Sequence, residues 1–374
     1  MTSPTPDRAA LRDLLDAVAA GERLSDEGAL ALLEGADLVS LGRAARAVSL
    51  RLHPERTRTF VVDRNINYSN VCDSYCKFCG FYRVRGEAGA YVLSKETIRG
   101  KVEELLAVGG TQVLLQGGTH PDLGIDYYED LVRFFKSLGI HLHGFSPPEI
   151  HKMSEVTGLP LREVIRRLRD AGLDSVPGGG AEILVDRVRK EISPHKIMTD
   201  EWLAVMREAH RLGLRTSATM MFGHRETLAE RVEHLRRLRE LQDETGGFTA
   251  FIPWAFQPTH AMVRDEAAGA HDYLRTLAVS RLYLQNIPNL QSSWVTMGPK
   301  VGQLALLFGA NDMGSVMLEE NVVSTAGVKF RMGVRELRRV IEDAGFIPAQ
   351  RDFFYRPLDP QPSLAASEPV PAGA

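Results

Sequence analysis

The sequence predicts an α/β protein built as a (β/α)8 barrel of the TIM type, preceded by a helical extension. From Thr59 onward, short apolar strands alternate eight times with amphipathic helices over about 260 residues, the size of such a barrel. Before that point, residues 8 to about 55 show only helical periodicity. We therefore expect a helical extension over 1–58, the barrel over 59–357 and a disordered tail over 358–374, which is rich in Pro, Ala and Ser.

The elements follow from the apolar pattern taken in order. In the extension, Leu11, Leu14, Leu15 and Val18 recur at helical spacing, and Ser25 is the expected N-cap of the next segment. The barrel strands are expected over 60–68, 112–116, 140–143, 174–176, 215–221, 248–252, 289–291 and 313–318. The intervening helices are expected from Ser94 and over 127–138, 161–171, 200–212, 226–242 and 272–285, with an added edge strand over 352–355.

Composition and charge are those of an ordinary globular protein. Hydrophobic residues make up 44% and charged residues 25% of the chain, and the net charge of −3 gives no basic footprint for nucleic acid. No apolar run approaches the ~20 residues that span a bilayer, and the N-terminus lacks the features of a signal peptide. We therefore expect a cytoplasmic protein with neither a nucleic acid nor a membrane as partner.

The chain has three cysteines, Cys72, Cys76 and Cys79, all within eight positions. A closed zinc site or an ordinary 4Fe–4S centre takes four protein ligands, and a zinc ribbon would need a second cysteine pair. A disulfide framework is disfavoured because three is odd and sparse for this length. Three thiolates on a four-iron cluster leave one iron open to another ligand. The sequence therefore predicts one 4Fe–4S cluster that takes part in chemistry, in a reducing compartment.

The C-x3-C-x2-C spacing, with Phe78 before the last cysteine, resembles the radical S-adenosylmethionine (SAM) enzymes. This resemblance implies that the open iron binds SAM and that Phe78 packs near its adenine. It further implies reductive cleavage of SAM to a 5′-deoxyadenosyl radical, with an electron donor such as flavodoxin or ferredoxin. The barrel is then a radical SAM barrel.

The loops after the predicted strands hold the other candidate site residues. Gly117, Gly118 and Thr119 follow the second strand; the resemblance assigns such a stretch to the amino group of SAM, and a plain turn is the alternative. Glu149 and Glu182 place carboxylates at the barrel mouth, where they could bind hydroxyls of SAM or substrate, or cap a helix.

Several other residues near the strand ends allow a structural reading as well as a functional one. Met221 and His224 could line the SAM pocket, although methionine is more often a core residue. His141 and His143 share a strand face but are interpreted as structural rather than metal-binding. Aromatic residues at the barrel mouth suit an aryl ligand or simple packing, and polar groups around the last strand suit the hydroxyls of a sugar: Trp254, Phe256, Trp294, Asn311, Asp312, Glu319, Glu320 and Asn321.

Six stretches narrow the resemblance to the cyclic dehypoxanthinyl futalosine synthases, radical SAM enzymes of the futalosine route to menaquinone. They are 67–72, 79–83, 116–121, 177–183, 252–258 and 309–314. The resemblance implies hydrogen abstraction from C4′ of the ribose of dehypoxanthine futalosine. The carbon radical then adds to the benzoate ring and forms a spiro-cyclic product after loss of an electron and a proton. A base must then take the ring proton, and Glu149, Glu182, His120 and His224 are the candidates.

Two alternatives remain open at this point. Aminofutalosine synthase and FO synthase proteins share the cysteine loop and much of the barrel but form other carbon–carbon bonds. An iron–sulfur electron-transfer or regulatory protein without SAM chemistry is a more remote alternative, since it would not need a barrel of this size.

Overall fold

The computed structural model describes residues 7–258, 263, 266–319, 321, 323–327 and 330–358. The tail predicted over 358–374 lies outside this part of the chain from residue 359 onward, so its disorder stays a prediction. The division of the chain at 58 and 357 likewise stays a prediction.

The N-terminal residues form three helices, α1 (Arg8–Ala20), α2 (Asp26–Gly35) and α3 (Leu38–Leu52). Each begins at a side-chain cap, because Asp7, Ser25 and Asp37 accept a hydrogen bond from a backbone N–H of the first turn. The predicted cap at Ser25 is confirmed. The helices share one apolar core with the rest of the chain, packing against two outer helices of the barrel.

The barrel strands are all parallel. They are β1 (Thr57–Val61), β2 (Asp63–Ile66), β3 (Gln112–Leu115), β4 (His141–Gly144), β5 (Ser175–Val176), β6 (Arg215–Phe222), β7 (Phe248–Ala255), β8 (Asn289–Leu290), β9 (Asp312–Ser315) and β10 (Ile347–Gln350). Strands β2 to β8 form a seven-stranded sheet in sequence order, and β1 lies between β9 and β10 in a second sheet. A single bridge between Gln291 and Asp312 links the end of β8 to β9. Since β1 runs directly into β2, the two sheets together enclose one interior, and the predicted barrel is confirmed.

Helices connect the strands and cover the outside. They are α4 (Lys95–Ala107), α5 (Ile125–Ser137), α6 (Pro147–Thr157), α7 (Leu161–Ala171), α8 (Asp186–Ile192), α9 (Thr199–Arg211), α10 (Leu228–Thr245), α11 (Ala270–Tyr283), α12 (Trp294–Met297), α13 (Pro299–Ala305) and α14 (Val334–Asp343), with a 3-10 turn at Val323–Ala326. The extension packs on α10 and α11. No helix of the described residues is both long and apolar enough to cross a bilayer.

The edge strand predicted over 352–355 is wrong. Ile347–Gln350 forms that strand instead, pairing parallel with β1, and the chain turns at Phe353 and Tyr355. The aromatic run Phe353-Phe354-Tyr355 has high strand propensity. Its tertiary contacts override that propensity, because the Phe353 ring stacks on the His141 ring with centroids 4.8 Å apart.

Candidate active site

A cavity of about 420 Å³ occupies the interior of the barrel and extends to the loops at the C-terminal strand ends. It brings together residues from the loops after β2, β3, β4 and β5. The predicted site residues that line it are Cys72, Cys76, Cys79, Phe78, Gly117, Gly118, Thr119, Glu149 and Glu182. The loops that are separate in sequence therefore form one site.

Backbone hydrogen bonds fix the cysteine loop against its neighbours. The N–H of Cys72 donates to the carbonyl of Arg83 at 3.1 Å, and the N–H of Lys77 donates to the carbonyl of Ile192 at 2.9 Å. Tyr75 adopts a left-handed backbone conformation with φ of 44°, which is uncommon for a residue other than glycine. The loop is thus wound tightly, with its three cysteines along the cavity wall.

The three thiols fit the ligand set of an iron–sulfur cluster. Burial raises the pKa of the Cys76 thiol to about 12 and also raises that of Cys79, so their thiolates need a metal to be stable at neutral pH. Among the described residues, no three His, Cys, Asp or Glu side chains are grouped as ligands of one metal ion. In a four-iron cluster each cysteine thiolate would bind a different iron, so the three cysteines need not meet at a single metal ion.

The Gly117–Gly118 pair allows the cysteine loop to lie directly on the end of β3. A Cβ at Gly118 would meet the carbonyl oxygen of Val71 at 2.1 Å and the Cβ of Cys72 at 2.6 Å. The amide of Gly117 donates to Oε1 of Glu149 and that of Gly118 donates to the carbonyl of Ser69. Thr119 Oγ1 lies 3.2 Å from Cys72 Sγ. The glycines therefore position the cluster ligands, and their amide hydrogens are already engaged.

Glu149 is a buried hydrogen-bonding centre of the site. Its Oε1 accepts from the Tyr68 hydroxyl at 2.8 Å and from the Gly117 amide at 2.9 Å. Its Oε2 accepts from the amide and the hydroxyl of Ser146, forming the capping box that starts α6. Burial raises its pKa to about 7, against the opposing effect of these hydrogen bonds. Glu149 thereby links the loops after β2, β3 and β4.

Glu182 is held between two buried cations that the sequence analysis did not single out. Lys196 Nζ lies 3.0 Å from Oε1 of Glu182, and Arg189 NH1 lies 3.6 Å from Oε2. The Oε2 atom is buried and has no hydrogen-bond partner within the described part of the chain. Glu182 has a left-handed φ of 40°. Its carboxylate is thus fixed on the cavity wall with one oxygen free to accept a hydrogen bond.

Lys196 connects this carboxylate to the cysteine loop. Its ammonium lies 5.1 Å from the centroid of the Phe78 ring. Burial opposes its charge, but the nearby Cys76 and Glu182 outweigh burial, so its pKa is raised. Lys196 follows α8, fourteen positions after Glu182, and no short motif in the sequence connects the two. Only the fold brings them together.

Three predicted residues are not among those that line the cavity. His224 Nε2 lies 2.9 Å from the carbonyl of Met221, and its Nδ1 accepts from the amide of Arg225. His120 Nδ1 accepts from the amide of Asp122. Burial lowers the pKa of both histidines. Met221 is buried in the core, where its amide donates to the carbonyl of Glu182.

The remaining candidates separate into cavity and framework residues. Trp254 and Trp294 line the cavity. Asn311 accepts a hydrogen bond from the amide of Leu290, and Asp312 is paired with Arg351, so both hold the barrel together. Glu319 and Asn321 hydrogen-bond to each other, whereas Glu320 lies outside the described residues. His141 and His143 both contact the Ser175 hydroxyl.

Comparison with known proteins identifies the family. Residues 66–238 match the family model of the radical SAM superfamily, and residues 245–363 match that of the CofH/MqnC C-terminal region. The chain resembles crystalline methylornithine synthase (PylB) in fold, with a TM-score of 0.67 at 21% identity over 90% of this chain and 97% of that one.

The relatives by sequence span nearly the whole chain. A cyclic dehypoxanthine futalosine synthase of Halalkalibacterium halodurans is 49% identical, over 91% of this chain and 93% of the relative. One of Streptomyces coelicolor is 44% identical, over 94% and 90%. An aminodeoxyfutalosine synthase of Thermus thermophilus is 42% identical, over 92% and 94%. The chain therefore belongs to the radical SAM superfamily and, within it, to the family of the CofH and MqnC proteins.

Proposed function

We propose that this protein is a radical SAM cyclase that converts dehypoxanthine futalosine to cyclic dehypoxanthinyl futalosine in the futalosine route to menaquinone. The observation that carries the proposal is 49% identity, over almost the full chain, to an enzyme of that name. The site supports it, because the three cysteines, the Gly117–Gly118 pair and the Glu182–Lys196 pair share one cavity.

The chemistry of the site divides between cofactors and protein. When bound, the 4Fe–4S cluster and SAM supply a 5′-deoxyadenosyl radical that removes a hydrogen atom from the substrate. Cys72, Cys76 and Cys79 hold the cluster. Because the amides of Gly117 and Gly118 already donate within the protein, we propose that their carbonyl oxygens accept the ammonium of SAM.

The buried charges of the site complete the SAM pocket in this proposal. Lys196 provides the cation for the carboxylate of SAM, beside Phe78. Glu182 Oε2, which is buried and has no hydrogen-bond partner among the described residues, accepts a hydrogen bond from a ribose hydroxyl. Of the four predicted bases, only Glu149 and Glu182 line the cavity. Ring closure leaves a radical on the aryl ring that must lose an electron and a proton: a one-electron acceptor takes the electron, and one of these carboxylates, rather than His120 or His224, takes the proton.

The cofactor chemistry also requires an electron donor and a reducing compartment. A one-electron donor such as flavodoxin or ferredoxin reduces the cluster, and the reducing cytoplasm keeps its thiolate ligands intact. No contact with nucleic acid or membrane is required by this reaction.

The assay that tests the proposal compares substrates of the related enzymes. Anaerobically reconstituted protein, SAM and a reductant are incubated separately with dehypoxanthine futalosine, with the precursors of aminodeoxyfutalosine and with the substrates of FO synthase. We expect mass spectrometry to find the cyclic product from the first alone. Conversion of either of the other sets, with dehypoxanthine futalosine unchanged, would assign the chain to a sister activity.

A second test addresses the SAM pocket. Lys196→Met should weaken SAM binding to the reconstituted protein by about tenfold or more, since a charge-assisted contact is lost. Lys190, an exposed lysine on α8, provides the matched control in Lys190→Met. Equal SAM affinity in the two variants, measured by equilibrium dialysis, would remove Lys196 from the pocket.

A further inference from the structure

Several inward-facing positions of the barrel carry polar side chains, beside apolar ones such as Leu114 and Ile252, where such barrels usually carry bulky apolar side chains throughout. In most (β/α)8 barrels, layers of Val, Ile and Leu fill the interior. Here Asp63 and Asn65 of β2, Gln112 of β3, and Ser217 and Thr219 of β6 all line the cavity. They lie at alternate positions along their strands, as residues on one face must. These side chains give the wall of the cavity a polar region, at β2, β3 and β6, that can hydrogen-bond a ligand.

Two of these side chains carry buried atoms without a partner. Asn65 Oδ1 and Gln112 Oε1 have no hydrogen-bond partner in the described part of the chain, and each residue is only 5% exposed. The amide nitrogen of Gln112 lies 3.2 Å from Oδ2 of Asp63. Because that carboxylate needs a donor, it fixes the amide orientation and leaves the oxygen free. Unpartnered buried acceptors are costly, so a bound ligand is the expected source of their donors.

The two residues are neighbours on the barrel wall. Asp63 pairs in register with Gln112 across β2 and β3, and Asn65 follows Asp63 by two positions on the same face. Asn65 and Gln112 are therefore diagonal neighbours on one face of the sheet, with Cα atoms about 7–8 Å apart, a separation that one sugar can bridge. Both lie in the body of the strands rather than on the loops that carry the cysteines.

The charges around Asn65 and Gln112 favour a ligand that carries hydroxyl groups over an anionic ligand. Arg351, the cation that lines this part of the cavity, is held by both oxygens of Asp312 at 2.6 Å and 3.0 Å. Asp63 adds a further acidic group beside Gln112. A carboxylate or a ketone can only accept hydrogen bonds, so neither can satisfy the free oxygens of Asn65 and Gln112. A hydroxyl can donate one hydrogen bond, and two hydroxyls can therefore satisfy both oxygens.

We propose that Asn65 and Gln112 form a subsite for the ribose hydroxyls of the substrate. That the ligand is dehypoxanthine futalosine rests on the proposed function. That it binds here through hydroxyl groups follows from the unpartnered amide oxygens on the barrel wall. By receiving these hydrogen bonds, the two amides fix the orientation of the sugar within the barrel. They are therefore binding residues that set specificity for a polyol.

The first experiment separates binding from folding. Asn65→Leu removes a side-chain amide whose Oδ1 atom has no hydrogen-bond partner among the described residues. We expect the reconstituted variant to melt at the same or a higher temperature, while its Kd for dehypoxanthine futalosine, measured by anaerobic calorimetry with SAM and without reductant, rises about tenfold or more. A lowered melting temperature with unchanged Kd would overturn the inference.

The matched control is Asn67, which also lines the cavity but is bonded within the protein. Its amide nitrogen donates to the carbonyl of Gln116 at 3.1 Å, and its oxygen accepts from Asn321. Asn67→Leu should therefore lower the melting temperature, as Asn65→Leu should not. The same loss of stability in both variants would show that Asn65 is a framework residue.

The second experiment changes the ligand as well as the protein. Analogues of dehypoxanthine futalosine that lack one ribose hydroxyl are bound to the unmodified holoprotein and to Asn65→Leu. We expect loss of the relevant hydroxyl to weaken binding about tenfold in the unmodified protein and hardly at all in the variant. Analogues that bind as tightly as the parent compound would overturn the inference.

The outcomes also separate this inference from the proposed function. Conversion of dehypoxanthine futalosine together with hydroxyl-independent binding would overturn the inference alone. Hydroxyl-dependent binding without conversion to the cyclic product would overturn the proposed function alone. Absence of any binding would overturn both.

Discussion

Glu149 shows at the scale of one residue how the site is assembled. Its four hydrogen bonds tie together Tyr68, Gly117 and Ser146, which come from three loops at the strand ends. A carboxylate suits this position because it accepts all four bonds and donates none. Its role in the structure is thus to position the glycine pair beside the cysteine loop.

Glu149→Gln should destabilise the protein by about 1–3 kcal/mol, because the amide NH2 would face donors that then lack an acceptor. Thermal unfolding of the reconstituted variant measures the effect. Glu155→Gln on the same helix is the control; that carboxylate is exposed, so its loss should change stability by less than about 0.5 kcal/mol. Equal melting temperatures in the two variants would contradict this account of Glu149.

Gly118 makes an equally specific prediction. Gly118→Ala places a methyl group 2.1 Å from the carbonyl oxygen of Val71 and 2.6 Å from the Cβ of Cys72, so the cysteine loop must move. We expect most of the iron and sulfide bound after reconstitution to be lost. Gly100→Ala is the control, since a methyl group at that helical position meets nothing within 4 Å. Full cluster content in Gly118→Ala would refute the close contact.

The site residues that could be predicted from the sequence belong to short local patterns, whereas the others are brought to the site only by the fold. The cysteines form a short local pattern whose spacing alone predicts a cluster, whereas the glycine pair is singled out by its place after a predicted strand together with the resemblance to radical SAM enzymes. Lys196 is brought to Glu182 by the path of the chain around α8, which no local pattern encodes. Asn65 did leave a signal, because the residues at 63, 65 and 67, which share one face of the strand, are all polar although the strand begins as an apolar run.

At the scale of elements, β10 and the turn after it close one end of the barrel. β10 pairs with β1, and the next residue, Arg351, forms a buried ion pair with Asp312 of β9. Phe353 then stacks on His141. Strand propensity alone predicts an edge strand over 352–355. In the structure the chain turns there instead, because the aromatic side chains pack against the barrel. Eight alternating elements were predictable from periodicity, but this closure depends on long-range contacts.

Arg351→Met should destabilise the protein by about 3–5 kcal/mol, because Asp312 would remain buried without its cation. Asp312 is 0% exposed, so water cannot replace the arginine. Denaturant unfolding under anaerobic conditions measures the change. Arg356→Met, which breaks the exposed Arg356–Asp352 pair, should cost less than about 1 kcal/mol. Similar losses in both variants would contradict a structural role of the buried pair.

At the scale of the whole molecule, buried histidines set the response to acid. Burial lowers the pKa of seven of them, to about 4 for His210 and about 3 for His234; the others are His53, His120, His141, His143 and His224. A histidine with a lowered pKa stabilises the fold above its unfolded value of 6.5, and this contribution is lost as the pH falls below that value.

We therefore expect the free energy of unfolding to fall between about pH 7.5 and pH 6, by up to about 0.8 kcal/mol for each such histidine. Glu149 opposes the trend, since its raised pKa favours the fold at lower pH, but it is one group against seven. Anaerobic urea unfolding at the two pH values tests this. Equal or greater stability at pH 6 would mean that the histidines are not held neutral.

The proposed reaction requires a cavity that holds the C4′ hydrogen of a ribose next to the cleaved cofactor. The most direct measurement uses dehypoxanthine futalosine deuterated at C4′ in a single anaerobic turnover, with mass spectrometry of both products. We predict deuterium in the 5′-deoxyadenosine and a cyclic product that has lost it. Unlabelled 5′-deoxyadenosine, or unchanged substrate beside cleaved SAM, would contradict the account.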